Sequence, residues 1–376
     1  MRHVVVGALL LANCQQSDKK NESSTSGSAQ ASSSAISTPA PQSSAAESAR
    51  APQAPLPPLP DPLPGKRTDL TAVIGSATRA AIGDFNGDKK RDIAIVDGKQ
   101  IRILDAAGKE LASAPVTSGI LVLTAADIDG DGKSELLAGW GQTREVRDGT
   151  ARVTVHRLKG KELVEQTIVE PATSRQEVVA IVPTDKRTLL LAYFDSQYMV
   201  TNAIAHEEAS GWKVENGASI RMATTYARGD VDGDGKPDLV VGRVYGDDKG
   251  VDGDAFVLAP DGTRTKLPTT RGLRSLAVVG SDIYFGDGWH QNYGQNAHGF
   301  LTHVRHDKDG FRSDLIEDTA GQYAIERILP ATIDGKPALV TLGSHYVRVF
   351  ARDGDRWRGL TIAGMARDIA VGDLDG

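Results

Sequence analysis

A nine-residue acidic pattern, D-x-[DN]-x-D-x-x-x-[DE], recurs along the 376-residue chain, each time just ahead of a short apolar run. It reads Asp84-Phe85-Asn86-Gly87-Asp88-Lys89-Lys90-Arg91-Asp92, then Asp127-Ile128-Asp129-Gly130-Asp131-Gly132-Lys133-Ser134-Glu135, then Asp230-Val231-Asp232-Gly233-Asp234-Gly235-Lys236-Pro237-Asp238. A fourth copy opens with Asp373-Leu374-Asp375-Gly376. Side chains at positions 1, 3, 5 and 9, with the main-chain carbonyl at position 7 (Lys90, Lys133, Lys236), surround one hard cation with oxygen. Calcium accepts about six to eight oxygen ligands in flexible geometry, whereas magnesium demands a strict octahedron and keeps its waters. Without a cation, three or four carboxylates this close repel one another. The pattern therefore predicts about three complete calcium sites of structural kind, each clasping a hairpin. Glycines at positions 4 and 6 supply the positive φ of a tight wrap. Lys89 stands where the other loops have Gly132 and Gly235, so the first site is expected to bind more weakly.

The first aspartates of the four copies lie 43, 103 and 143 residues apart, about one, two and three units of a common period. A period of about 40–50 residues marks the four-stranded blade of a β-propeller. The intervening units keep a strand–turn–strand frame without the acids: 178–182 leads to 188–193, 276–279 to 283–285, and 325–330 to 338–342. A second turn follows later in each unit, as in Ala106-Ala107-Gly108-Lys109 or Arg352-Asp353-Gly354-Asp355, where a hairpin belongs. The expectation is an all-β, seven-bladed propeller: six complete blades and a truncated seventh that begins near Met365. Residues 70–74 are expected to supply that blade's outer strand and so close the ring, which removes open sheet edges. Forty glycines and 5% aromatics suit such a turn-rich chain.

An EF-hand begins with the same acids but needs a bidentate glutamate at position 12 on a helix. Here position 12 is Ile95, Ala138 and Val241, each inside a β-rich run. The loops resemble instead the FG-GAP/VCBS repeats of integrin-α-type propellers. That resemblance covers about residues 70–376 of an expected propeller domain over 66–376, and it implies calcium loops joining the first two strands of a blade.

The N-terminus has a different character. Arg2 and His3 precede an apolar run over 4–12, too short for a spanning helix of about 20 residues. It reads as a signal-peptide core. Cys14, the only cysteine, closes that core and resembles a bacterial lipobox, with Asn13 where the family prefers a small residue. Residues 1–14 are thus expected to be a lipoprotein-type signal, with Cys14 lipidated. Residues 15–65 are rich in Ser, Ala and Pro and have few large apolar side chains, so they are expected to form a disordered tether. The proline-dense part over 51–64 would reach about 40 Å as polyproline II. An exported protein anchored to a bacterial outer membrane or cell surface is the expected setting. A net charge of −6 points away from nucleic acid as a partner.

If acidic loops join strands one and two of each blade, the loops joining two and three lie at the opposite end. These vary most and carry aromatics beside polar groups: Trp140, Arg144, Tyr198, Arg243, Tyr245, Asp287, Trp289, His290, Tyr293 and His345 are the candidate ligand-face residues. Such side chains suit a glycan or a peptide through stacking and directed hydrogen bonds. The leading expectation is a non-enzymatic binding, adhesion or scaffold module for a glycan or envelope protein. The alternative is an envelope polysaccharide lyase or hydrolase using Asp287, His290 and Tyr293. No phosphate loop, nucleophile elbow or zinc-protease motif is present, and His303 and His306 alternate to opposite faces of a strand.

Overall fold

The computed structural model describes residues 77–372, apart from 98, 117–118, 142–150, 171–176, 195–197, 245–252, 260–261, 270–271, 288–298, 320–323, 334, 344–345, 355, 364–365 and 367. Among these the chain is entirely β and turn. Twenty-four strands form six four-stranded antiparallel meanders. Blade one is β1 (Arg79–Gly83), β2 (Asp92–Asp97), β3 (Gln100–Leu104) and β4 (Glu110–Pro115). Blade two is β5 (Gly119–Ala126), β6 (Glu135–Gly141), β7 (Val153–Lys159) and β8 (Glu162–Val169). Blade three is β9 (Val178–Asp185), β10 (Thr188–Phe194), β11 (Met199–Glu208) and β12 (Gly211–Arg221). Blade four is β13 (Ala223–Gly229), β14 (Asp238–Arg243), β15 (Ala255–Leu258) and β16 (Arg264–Lys266). Blade five is β17 (Ser275–Val279), β18 (Asp282–Gly286), β19 (Phe300–Asp307) and β20 (Gly310–Asp318). Blade six is β21 (Ile325–Ile333), β22 (Lys336–Gly343), β23 (Val347–Asp353) and β24 (Arg356–Ala363).

The first strands of successive blades run side by side, β1 by β5, β5 by β9, β9 by β13, β13 by β17 and β17 by β21. The second strand of each blade is buried on both faces; β6 is enclosed at every residue. It therefore reads as a continuous apolar run (Leu-Leu-Ala-Gly-Trp) rather than an alternating one. The outer strands alternate or are mostly exposed, as β8 and β16 are. The core consequently lies between blades. Ala94, Ile103 and Phe85 of blade one meet Leu136 and Trp140 of blade two. Val155 and Leu137 of blade two meet Leu189 and Leu191 of blade three.

The described residues hold the six complete blades that the repeat spacing predicts, and they do not show the truncated seventh. After β24 the described residues form no strand. Residues 366 and 368–372 carry no regular secondary structure and pack against blades six and one. Ile369 packs into the core of blade six and Ala370 into that of blade one. Asp368 accepts the Ala80 amide at 3.0 Å and pairs with Arg327 of β21. A strand needs a ladder partner, and none of these contacts is one. The proposed outer strand at 70–74, the acids Asp373 and Asp375, the signal with Cys14 and the tether all lie outside the described residues.

Candidate metal loops and the opposite end of the ring

The three complete acidic loops join strand one to strand two of blades one, two and four, and they share one hydrogen-bond scheme. The position-1 aspartate accepts amides from positions 4 and 6: Asp84 from Gly87 (2.7 Å) and Lys89 (2.8 Å), Asp127 from Gly130 (2.7 Å) and Gly132 (3.1 Å), Asp230 from Gly233 (2.8 Å) and Gly235 (3.0 Å). Position 3 accepts from position 5, so Asn86, Asp129 and Asp232 take the amides of Asp88, Asp131 and Asp234. Position 5 accepts from position 7, the amides of Lys90, Lys133 and Lys236. Position 9 reaches back to the amide of position 2: Asp92 to Phe85, Glu135 to Ile128, Asp238 to Val231. Each carboxylate is thereby turned toward the loop interior.

Two further features hold the loops. Positions 4 and 6 have positive φ in all three, with Lys89 at 68° doing what Gly132 does at 89° and Gly235 at 84°. Position 2 is an apolar plug: Phe85, Ile128 and Val231 are almost fully buried under their loops. Sequence reasoning passed over these plugs, although a large apolar residue between two acids is a visible signal. It also missed Ser134, whose Oγ takes the Asp84 amide at 3.1 Å while its own amide donates to the Asp84 carbonyl at 2.6 Å. Loop two thus braces loop one across the blade junction.

The oxygens of Asp127, Asp129 and Glu135 come within 4.8 Å of one another, as do those of Asp230, Asp232 and Asp234. Burial pushes Glu135 up to about 7 and Asp92 up to about 6, with neighbouring carboxylates adding to the rise. Asp238 is raised in the same way. Arg157 of β7 brings a guanidinium to 3.9 Å from Asp129 and 3.8 Å from Glu135, and it is also held by Glu207 of blade three at 2.7 Å. The donor set is all oxygen and largely anionic, the chemistry a calcium ion takes. The residues fit such an ion. The first loop has a neutral Asn86 at position 3 and a lysine in left-handed conformation at position 6, so its fit is poorer.

At the other end of the blades the candidate ligand-face residues divide. Trp140 is fully enclosed; its Nε1 donates to Thr154 Oγ1 at 2.8 Å and Arg152 lies over its ring. Arg243 is buried in a two-point ion pair with Asp254. Asp287 is buried and accepts the Phe300 amide at 2.5 Å, which ties the two ends of its loop. Tyr198 is 68% exposed, with φ at 63°. Arg144, Tyr245, Trp289, His290, Tyr293 and His345 lie outside the described residues. His303 is committed within blade five, where Nε2 meets Asp282 at 2.6 Å and the ring stacks on Tyr284.

Six antiparallel meanders around a common axis, with like loops at one end, define a β-propeller. Residues 84–138, from the first acidic loop to the strand after the second, match the family model of the FG-GAP-like repeat. Comparison with curated proteins finds no match.

Proposed function

We propose that this chain is a calcium-clasped β-propeller that serves as a binding or scaffold module at the bacterial cell envelope. In this reading Cys14 carries a lipid, residues 15–65 form the leash, and the ring presents the end away from its acidic loops to a glycan or protein. The observation that carries the reading is the shared geometry of the three acidic loops. Each spends its carboxylates on one face of a strand-one-to-strand-two turn, which leaves the opposite end of the ring for recognition. Loops on a rigid scaffold are the usual carriers of binding function.

Calcium that binds only the folded ring stabilises it by about 2.7 kcal/mol at a hundredfold excess over Kd. The test compares melting temperatures of the full chain in calcium and in EDTA. A clear rise with calcium is expected; superimposed curves would remove the clasp. Labelling cells with an alkynyl fatty acid tests the anchor, with Cys14→Ala expected to abolish incorporation. An envelope pull-down and a glycan array with calcium-replete protein test recognition, and two empty results would overturn it.

A further inference from the structure

We propose that the end of the central channel away from the acidic loops is a binding site for a sugar acid, a small hydroxyl-rich ligand with one carboxylate, anchored by Arg79. This rests on the reading of that end as the recognition face and gives it a location and a charge. A cavity of about 440 Å³ opens there, lined by all six blades. It is bounded by the opening halves of the first strands, whereas the acidic loops follow their closing ends. Its volume lies within the range of small-molecule sites, about 300–1,000 Å³.

Arg79 is the distinctive group in this cavity. Its Nε donates to the Leu121 carbonyl at 2.9 Å and its Nη1 to the Thr78 carbonyl at 2.7 Å. Both acceptors are neutral, and no carboxylate pairs with Arg79 among the described residues. A guanidinium carries five N–H donors. Two bonds to the main chain leave three donors, both of Nη2's among them, for the charge-assisted hydrogen bonds that a carboxylate accepts. Because the two carbonyls already hold the side chain, little further order is lost when a ligand arrives. Arg327, in the same cavity, differs: Asp368 neutralises it.

The rest of the lining selects the ligand. Thr124, Thr224 and Thr225 are among the lining residues, and Thr224 Oγ1 is buried without a hydrogen-bond partner. Hydroxyls favour a sugar over an apolar acid. Glu326 and Asp368 also border the cavity and oppose a second negative charge. Three arginines (Arg79, Arg274 and Arg327) and two carboxylates line the cavity, and an excess of one positive charge fits a monoanion better than a phosphate dianion.

The test is calorimetric titration of calcium-replete, full-length protein with glucuronate, with a uronic-acid tetrasaccharide and with a neutral tetrasaccharide. Binding of at least one acidic probe is expected, weakening as salt rises, with affinity falling about tenfold or more in Arg79→Gln. Binding by free glucuronate points to a soluble sugar acid; binding by the tetrasaccharide alone points to a polymer. Thr224→Val, which leaves every charge in place, is expected to weaken binding less, and melting curves of both variants report on folding. Equal affinity in Arg79→Gln, equal affinity for the neutral probe, or no binding of either acid overturns the proposal. If the pull-down or array still yields a ligand, the recognition reading survives that result; if it yields none, both fall.

Discussion

Lys89 marks where one side chain departs from the rule its loop obeys. Position 6 needs positive φ, and an L-residue there costs about 1–2 kcal/mol, against the roughly 0.5–1 kcal/mol of extra chain entropy that glycine loses. Lys89→Gly is therefore expected to raise stability by about 0.5–1 kcal/mol, read as a higher midpoint in urea. It also removes a positive charge beside Asp84 and Asp88, so calcium affinity at the first loop should rise. An unchanged or lower midpoint would mean that the lysine side chain contributes packing that its exposed position does not reveal. Ser134 shows the converse: an unremarkable residue at position 8 becomes a brace only because blade two stands beside blade one.

At the scale of the blade, buried polar chains hold the sheets in register. In blade two, Trp140 Nε1 can only donate, so the Thr154 hydroxyl donates its own hydrogen bond to His156 Nε2 at 2.9 Å. That nitrogen accepts only in the neutral imidazole. Burial, with Arg152 nearby, holds His156 down at about 4. The folded state thus binds fewer protons than the unfolded one between about pH 4 and 6.5. Stability from this group is complete above pH 6.5 and is lost as pH falls through that window. The full loss is about 3 kcal/mol by pH 4, from about 1.4 kcal/mol per pKa unit. Glu135 and Asp92, both raised, act in the opposite sense over the same window, so the test is the difference: from pH 7 to 4 the midpoint of His156→Gln should gain on that of the wild type. Parallel slopes would place the acid sensitivity in another group.

For the whole ring, one carboxylate bridges the first blade and the sixth. Asp368 joins the Ala80 amide of blade one to Arg327 of blade six, and the carboxyl is almost fully enclosed. Asp368→Ala leaves a buried amide unpaired and Arg327 without its counter-ion. A cost of about 2 kcal/mol is expected, discounted because Arg327 is one-third exposed. Hydrogen exchange should quicken first at β1 and β21, the two strands that Asp368 bridges. Uniform quickening across all six blades would show instead that the ring unfolds only as one unit.

Local chemistry was legible before any coordinates. The acidic loops, their positive-φ glycines, the hairpin turns and the six strand–turn–strand frames all follow from neighbours in the chain, so spacing and residue type suffice to read them. What lies beyond blade six did not follow, because a repeat count says nothing of whether Asp368 and Ile369 join a ladder or pack against blades one and six. Trp140 and Arg243 read as surface groups beside variable loops, yet packing between blades buries both. Arg79 drew no notice in a chain with 43 Lys and Arg residues. Its remaining N–H donors gain a site only where six blades converge on one cavity. The acidic loop is thus a property of nine consecutive residues, while the channel site belongs to residues scattered over nearly three hundred positions and brought together by closure of the ring.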